Sequence, residues 1–312
     1  MRCGVFTDGL AHLSLEAAAA WCAERDVGEL ELGAGGYSPA PHLDLAQLLA
    51  EPAARDELQR LVAGARCRIS ALNASGNPLH PDPATSVPHD AALRGAIRLA
   101  ALLGVETVVA MSGCSGGPGG GGWPVFAGGA WLPDMEGLWE WQWQEKIAPY
   151  WEELSGWAAR EAPGVRICLE LHPGTSVYNP ESYRALREVT GDNVLVNLDP
   201  SHFWWQGIDP VQAIGRLDGC IGFAHGKDTT LHTDRVERNG VLDFLWPSAD
   251  PATRAWHFSA VGAGHDEAAW LGLVAALRQA GYDGVVSVEH EDPLLGNEEG
   301  IDASLAALAR VV

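Results

Sequence analysis

Eight β-prone runs alternate with helical segments along this chain, and that alternation limits the fold more than any other feature. The β-prone runs lie at residues 3–7, 30–32, 67–72, 107–111, 165–171, 194–198, 221–224 and 285–288. Alternation of strands with helices is typical of a parallel sheet, because each parallel connection needs a crossover. Eight such units in 312 residues favour a closed α/β fold, the (β/α)8 TIM barrel, formed by a single domain over residues 1–312.

A doubly wound open sheet is the alternative, and the residues that end the β-prone runs argue against it. Glu170 lies in the fifth run, Asp199 directly follows the sixth, His225 follows the seventh and Glu289 follows the eighth. An open sheet gathers its ligands at one switch point. All strands of a barrel end at one shared mouth, so this distribution over consecutive runs favours the barrel.

Two long connections are predicted to be insertions, after the fourth and the seventh strand, at residues 113–133 and 227–257. The first contains a literal G-x-G-x-x-G that begins at Gly117. A Trp-Pro pair follows it where a dinucleotide site needs the start of a helix, so we reject a nucleotide-binding function. The sequence leaves open whether this segment is a mobile loop or a lid over the barrel mouth.

Tryptophan is concentrated near these connections. Between residues 135 and 161, apolar residues recur at helical spacing and predict a helix that packs on the core: Trp139, Trp143, Ile147, Tyr150, Leu154 and Trp157. Trp141 falls outside that pattern and is a candidate for a subunit contact. Trp204 lies shortly after the sixth strand, two residues beyond His202, and is a candidate for a wall of the substrate site.

The charge balance excludes some classes of function. A net charge of −21 disfavours binding to nucleic acid or to an anionic membrane, because those ligands need clustered Lys and Arg. The six cysteines show no C-x-x-C spacing, and the first residues lack the apolar region of a signal peptide. No apolar run is long enough to cross a bilayer, so we expect a cytoplasmic protein with reduced cysteines.

The residues at the strand ends predict a metal site. Three carboxylates, from Glu170, Asp199 and Glu289, would meet the imidazole of His225 in one barrel mouth. Carboxylates packed that closely repel one another, and a divalent cation removes the repulsion. Three oxygens and one nitrogen suit Mn2+ or Mg2+, with Co2+ or Zn2+ as alternatives, better than they suit a structural zinc site.

These residues stand in motifs that resemble the xylose isomerase-like barrel family of sugar and sugar-phosphate isomerases and epimerases. The motifs are LELHPG with Glu170, NLDPSH with Asp199 and His202, AHGKDT with His225, and VVSVEHED with Glu289. The resemblance implies a TIM barrel that binds one divalent metal ion through Glu170, Asp199, His225 and Glu289. It also implies a carbohydrate substrate, with His202 close to it.

The resemblance further implies a reaction through an enediolate. The ion would act as a Lewis acid, while Glu170 and Glu289 on opposite faces of the substrate carbon would remove and return a proton. His172 and Lys227 are candidates for substrate binding, although Lys227 is equally suited to pair with its neighbour Asp228. A loop of the family that contacts substrate resembles the segment around His80.

One departure and two alternatives remain at this level. The family's ketose 3-epimerases carry an arginine shortly after the strand-seven histidine, whereas the first arginine after His225 here is Arg235. A lyase, hydratase or C-glycoside-cleaving enzyme acting on a 3-keto-glycoside would use the same residues. A sugar-binding barrel without activity is the second alternative, disfavoured because all four ligand positions are filled. We also expect a homo-oligomer or a partner subunit, since such barrels often pair through their outer helices.

Overall fold

Eight parallel strands close into a barrel in the computed structural model, which describes residues 1–129, 132–245 and 249–312. The barrel strands are β1 (Arg2–Phe6), β2 (Glu29–Gly33), β3 (Arg68–Asn73), β4 (Thr107–Met111), β5 (Arg166–Glu170), β6 (Val194–Leu198), β7 (Ile221–Gly226) and β10 (Val285–Val288). Their order around the barrel is β1-β10-β7-β6-β5-β4-β3-β2. The predicted (β/α)8 barrel is therefore confirmed, and the open sheet is excluded.

Helices follow the strands along the chain. They are α1 (Leu15–Ala23), α2 (Leu45–Ala50), α3 (Pro52–Gly64), α4 (Pro83–Leu103), α5 (Leu138–Gln142), α6 (Ala148–Glu161), α7 (Pro180–Arg187), α8 (Pro200–Trp204), α9 (Pro210–Arg216), α10 (Thr233–Asn239), α11 (Glu267–Gln279) and α12 (Asn297–Leu308). Several begin with proline directly after an Asp or Asn whose side chain accepts a backbone N–H, as at Asp209 and Asn179. This pairing satisfies the first free N–H groups and fixes the start of each helix.

Helix α4 begins earlier than the sequence pattern indicates. The sequence predicts a helix that Asp90 caps and that continues through Leu103, but the helix starts at Pro83 with Asp82 as its cap. Pro88 lies in the second turn of α4, and the helix continues past it without the hydrogen bond that an N–H at this position would donate. Asp90 instead pairs with Arg94 one turn later and accepts a hydrogen bond from the Tyr150 hydroxyl at 2.7 Å.

The predicted helix between residues 135 and 161 is divided in the structure. Helix α5 runs into a π-helical turn, Trp143–Ile147, which continues into α6. Ile147 and Leu154 are buried, and Trp157 is partly buried against the core, as the helical spacing indicates. Trp151, which that pattern omits, is fully buried and donates its indole N–H to the Ser112 carbonyl at 3.1 Å.

The connections after β4 and β7 are long and lie on the side where the strands end. The second contains a two-stranded antiparallel sheet, β8 (Asp228–Leu231) with β9 (Trp256–Ser259). Residues 130, 131 and 246–248 of the two predicted insertions lie outside the described residues. Among the helices that are described, none has the length and apolar character needed to span a bilayer.

The core has two parts. The larger part lies between the barrel strands and the helices around them, and includes Leu30, Val108 and Trp270. The smaller part fills the interior of the barrel and consists of Ala71, Val109, Cys168, Phe223 and Val285. Residues two apart on a strand share a face, so the strand that buries Phe223 also points His225 into the barrel, nearer the mouth.

Candidate metal centre and active site

Four side chains that the sequence predicts as ligands meet in the barrel mouth. One atom each from Glu170, Asp199, His225 and Glu289 can be chosen so that all four lie within 4.8 Å of one another. Glu170 is the last residue of β5 and His225 lies within β7, while Asp199 and Glu289 directly follow β6 and β10. The first three are buried and Glu289 is partly exposed, so the cluster is open to solvent on one side.

The turn after β6 places two of the predicted residues. Asp199 is the N-cap of the short helix α8, and its Oδ1 accepts the Ser201 N–H at 2.9 Å. The helix then turns His202 back over the barrel, so that its Nε2 lies 3.0 Å from Glu170 Oε1. His202 is fully buried, and its Nδ1 has no hydrogen-bond partner among the described residues.

His225 presents its two ring nitrogens to different acidic groups. Nδ1 lies 3.1 Å from both Glu170 Oε2 and Glu289 Oε2, within the predicted ligand set. Nε2 lies 3.2 Å from Oε1 of Glu31, a fully buried residue of β2. The ring is therefore held from both sides in the orientation that points Nδ1 at the carboxylates.

Lys227 pairs with the carboxylate cluster and not with its neighbour Asp228. Its ammonium lies 2.6 Å from Glu289 Oε2, 3.0 Å from Asp199 Oδ2 and 2.9 Å from Glu291 Oε2. The oxygens of Asp228 are instead occupied by backbone N–H groups, by the ring of His265 at 2.7 Å and by the Trp270 indole at 3.1 Å. Asp228 thus joins the segment after β9 to β8.

The environment keeps both glutamates ionised. Burial raises the pKa of Glu170, but hydrogen bonds from His202 and His225 outweigh that effect and hold the pKa well below its usual value. Burial likewise acts against ionisation of Glu289, yet the charges of Lys227 and then His225 lower its pKa to about 2. Two ionised carboxylates beside one cavity are suited to accept protons from a substrate.

His172 lies next to His202, with ring centroids 4.1 Å apart. Ligand atoms of His172, Glu170 and His202 lie close enough together to hold a metal ion. Burial, followed by the electrostatic effect of the neighbouring His202, lowers the pKa of His172 to about 3. The ring of His172 is therefore neutral at ordinary pH, able to donate one hydrogen bond and accept one.

Two candidates for substrate binding lie elsewhere. Trp204 stacks on His265 with ring centroids 3.9 Å apart and meets Trp270 edge to face, so it packs towards helix α11. His80 accepts the Asp82 N–H through Nδ1 at 3.0 Å, next to the glycine-rich segment after β4. Neither side chain is part of the wall of the cavity beside the carboxylates.

Sequence reasoning missed three polar residues of the site. Glu31 accepts a hydrogen bond from the Asn73 amide at 2.8 Å in addition to its contact with His225. Asn197, in the middle of β6, has its amide nitrogen 3.3 Å from Glu170 Oε2. Asp8 follows β1 and lines the cavity. A carboxylate or amide inside an otherwise apolar run, as in ELELG and VLVNL, is the signal that points to the first two.

A cavity of about 360 Å³ lies beside the cluster, and Glu170 and Glu289 form part of its wall. The apolar side chains in the wall are Phe6, Tyr37 and Met111. The cavity opens at the ends of the strands, where barrel enzymes bind their substrates.

The residues of the cluster fit a divalent cation. Asp199 Oδ2 is buried and accepts no well-formed hydrogen bond from the described residues, although Lys227 lies close to it. Three carboxylates and one imidazole nitrogen form an oxygen-rich donor set that suits Mn2+, Mg2+ or Zn2+. Glu170, Asp199, His225 and Glu289 are the residues that would hold such an ion.

Comparison with known families identifies the fold family. The family model described as xylose isomerase-like TIM barrel matches residues 29–311. The chain belongs to this family. Protein YfiH of Bacillus subtilis, described as uncharacterized, is 37% identical over 316 residues, which cover 100% of this chain and 99% of that protein.

Two further relatives carry more informative names. An inosose dehydratase of Geobacillus kaustophilus is 29% identical over 154 residues, covering 47% of this xylose isomerase-like chain and 48% of the relative. The crystal structure of IolI with a bound zinc atom superposes with a TM-score of 0.68 at 22% identity, covering 100% of this chain and 98% of that one. Other solved structures of the same fold are named as 3-epimerases and as a probable 3-DHS dehydratase. Family membership thus indicates an enzyme that modifies a sugar.

Proposed function

We propose that this protein is a divalent-metal-dependent isomerase or epimerase of a sugar or keto-sugar. The observation that carries the proposal is the pair Glu170 and Glu289, two ionised carboxylates that both lie 3.1 Å from His225 Nδ1 and both line one cavity. When bound, the ion, with Mn2+ or Mg2+ preferred, supplies Lewis acidity to a substrate carbonyl oxygen.

The protein residues then divide the proton transfers. One glutamate, as its ionised carboxylate, removes the proton from the carbon next to the carbonyl. The other first takes up a proton from solvent and then delivers it from the opposite side, which inverts that carbon. Delivery to the former carbonyl carbon instead gives isomerisation. His202 holds Glu170 in place through its Nε2, 3.0 Å from Glu170 Oε1, and Lys227 holds Glu289 at 2.6 Å. Proton transfer by a positioned side chain, here each glutamate, accelerates a reaction about 10²- to 10⁴-fold.

A dehydratase or related lyase is the second candidate, and the match to the inosose dehydratase favours it. Both reactions begin with removal of the proton beside a carbonyl. In the lyase the electron pair then expels a hydroxyl or a glycosidic oxygen from the next carbon, and the leaving group takes a proton. His172, close to His202, would relay that proton by accepting it at one ring nitrogen and releasing the one held on the other.

The test is exchange of the carbon-bound proton in D2O, followed by ¹H NMR with Mn2+-loaded protein and with EDTA. Candidate substrates are D-fructose, D-tagatose, a keto-inositol and an aryl 3-keto-glucoside. We expect metal-dependent loss of one proton signal, with a new diastereomer for an epimerase or an unsaturated product for a lyase.

Glu170→Gln and Glu289→Gln should each slow the exchange at least a hundredfold. Glu16→Gln, an exposed residue at the start of α1, is the matched control and should leave it unchanged. Full exchange in both glutamine variants would rule out the assigned proton transfers. Exchange that persists in EDTA would rule out the role of the metal.

A further inference from the structure

The wall of the cavity is acidic and lacks basic side chains. Asp8, Glu170, Glu289 and Glu291 line it, and no Arg or Lys is among the described residues that do. His290 also lines it. A negatively charged substrate group would therefore meet several carboxylates and neither a lysine nor an arginine of the described residues in this wall.

Lys227 is the nearest base, and it is not available to a substrate anion. Its side chain is 2% exposed, and three carboxylates surround the ammonium within 3.0 Å. A divalent ion and Lys227 together carry three positive charges, which balance the three carboxylates of the candidate metal ligands. Asp8 and Glu291 then leave the cavity with excess negative charge.

Two polar side chains, Asp8 and Ser75, line the same cavity. Asp8 Oδ1 and Ser75 Oγ have no well-formed hydrogen bond among the described residues, although the Ser38 hydroxyl is close enough to Asp8 to act against the rise in its pKa. Asp8 follows β1 and Ser75 follows β3, and each of these strands lies three strands from β6, which leads into Asp199. A carboxylate acceptor and a hydroxyl in the wall of one cavity are suited to a substrate hydroxyl, which donates to the first and accepts from the second.

We propose that the substrate is an uncharged keto-polyol, without phosphate or carboxylate, and that Asp8 and Ser75 bind a hydroxyl remote from the reacting carbons. This assignment rests on the proposed function and specifies its substrate class. A cavity of about 360 Å³ has room for a single sugar or cyclitol ring with a small substituent. Like charges facing each other across a contact weaken binding, so Asp8 selects against anionic analogues.

Matched pairs of probes test this by isothermal titration calorimetry on Mn2+-loaded protein at pH 8. The pairs are D-fructose with D-fructose 6-phosphate, and a keto-inositol with 3-dehydroshikimate. We expect the neutral member of at least one pair to bind at least tenfold more tightly than its anionic partner. Equal or tighter binding of the anion in both pairs, or no binding of either neutral probe, overturns the inference.

Variants locate the selectivity. Asp8→Asn should reduce the ratio of affinities between the neutral and the anionic probe about tenfold, because it improves binding of the anion. Ser75→Ala should weaken the neutral probe several-fold and leave the ratio unchanged. Asp218→Asn, an exposed residue at the opposite end of the barrel, is the matched control and should behave as wild type. An unchanged ratio in a folded Asp8→Asn variant shows that Asp8 does not select, and overturns the inference.

A third probe, 1-amino-1-deoxy-D-fructose, separates selection for a neutral group from selection for a cation. Binding more than tenfold tighter than that of D-fructose would overturn the inference in favour of an amino sugar. Proton exchange in D2O separates this inference from the proposed function. A neutral probe that binds without exchange contradicts the function alone, whereas a phosphorylated probe that binds better and exchanges contradicts this inference alone.

Discussion

Glu31 and His225 form a pair at the residue scale that explains how an imidazole is aimed at the carboxylates. His225 Nε2 lies 3.2 Å from Glu31 Oε1, so Nδ1 is the nitrogen that faces Glu170 and Glu289. A carboxylate on the far nitrogen of a metal-binding histidine fixes the tautomer and the ring orientation. Asn73 holds Glu31 in turn, with its amide 2.8 Å from Oε1. Glu31 is therefore a positioning residue for the candidate metal site.

Glu31→Gln should lower Mn2+ affinity about ten- to a hundredfold, because the amide cannot fix the imidazole in the same way. Isothermal titration with Mn2+ measures this directly. Glu29→Gln is the matched control, since Glu29 lies on the same strand and face but pairs with Arg2 and Arg68 at the other end of the barrel. It should change stability and not metal affinity. Equal affinities in wild type and Glu31→Gln would refute the positioning role.

Asp8 should give the protein a pH-dependent stability of defined sign. Burial raises the pKa of Asp8 from its ordinary 3.8 to about 6. Between these values the folded state binds more protons than the unfolded chain, so the stability from Asp8 is present below pH 4 and is lost as the pH rises through 6.

Asp8→Asn should remove that decline in stability. The slope of unfolding free energy against pH that Asp8 contributes corresponds to a difference of at most about one bound proton between the folded and unfolded states. Urea unfolding in EDTA at pH 5, 6, 7 and 8 measures the slope. Asp218→Asn should keep the wild-type slope, because its carboxylate is exposed. If the two variants gave the same slope, the raised pKa of Asp8 would be wrong.

The segment after β4 shows, at the scale of an element, a fixed base and an open tip. Gln142, at the end of α5, is buried, and its amide nitrogen lies 2.8 Å from the Val125 carbonyl and 3.1 Å from that of Gly116. A Cβ added at Gly119 or Gly122 would meet no atom within 4 Å. The base is thus packed on the protein while the tip faces solvent.

Gln142→Ala should lower the free energy of unfolding by about 1–3 kcal/mol, because it leaves buried carbonyl groups without donors.

The double variant Gly119→Ala/Gly122→Ala should instead raise the free energy of unfolding by about 0.4–1 kcal/mol per site, since alanine restricts the unfolded chain and neither glycine has a positive φ. Urea unfolding compares the two. A loss of stability in the glycine variant would mean that the tip packs on the protein. A fall in turnover at unchanged stability would support a lid.

Element boundaries show where sequence reasoning stops. The strands were predictable because buried apolar runs between turn residues leave few alternatives. The start of α4 was not predictable, because Pro88 interrupts the sequence pattern although the helix already begins at Pro83. The sequence pattern also predicts one helical stretch from Asp44 past Pro52 to Val62, whereas the structure breaks it at Glu51 into α2 and α3. Local patterns fix which elements form and leave their ends to tertiary contacts.

At the scale of the whole molecule, closure of the barrel creates contacts that no local pattern contains. Glu31 and His225 are 194 residues apart and belong to strands that are not neighbours in the barrel. The register of β2 against β3 shifts between Leu30 and Glu31, and the register of β6 against β7 shifts between Val196 and Asn197. Such irregularities change which side chains face inward. The four ligands at strand ends were therefore predictable, whereas the partners that Glu31 and Asn197 contact across the barrel were not.

Metal binding should stabilise the whole fold, because the ligands come from four strands that lie far apart in the sequence. An ion that binds only the folded state adds about 2.7 kcal/mol at a concentration of one hundred times Kd. Differential scanning calorimetry with EDTA, Mn2+, Mg2+ and Zn2+ should therefore show a higher Tm with the preferred ion.

Asp199→Asn should abolish that increase, since it removes a buried ligand whose Oδ2 has no well-formed hydrogen bond. Asp218→Asn should retain the full increase and so controls for the loss of one charge. The control matters because a net charge of −21 attracts divalent ions to the whole surface. Surface binding would raise the Tm of both variants alike and would weaken with added NaCl, whereas binding at the buried cluster depends on Asp199 and persists in salt. An equal increase in both variants would place the stabilising ion outside the barrel mouth.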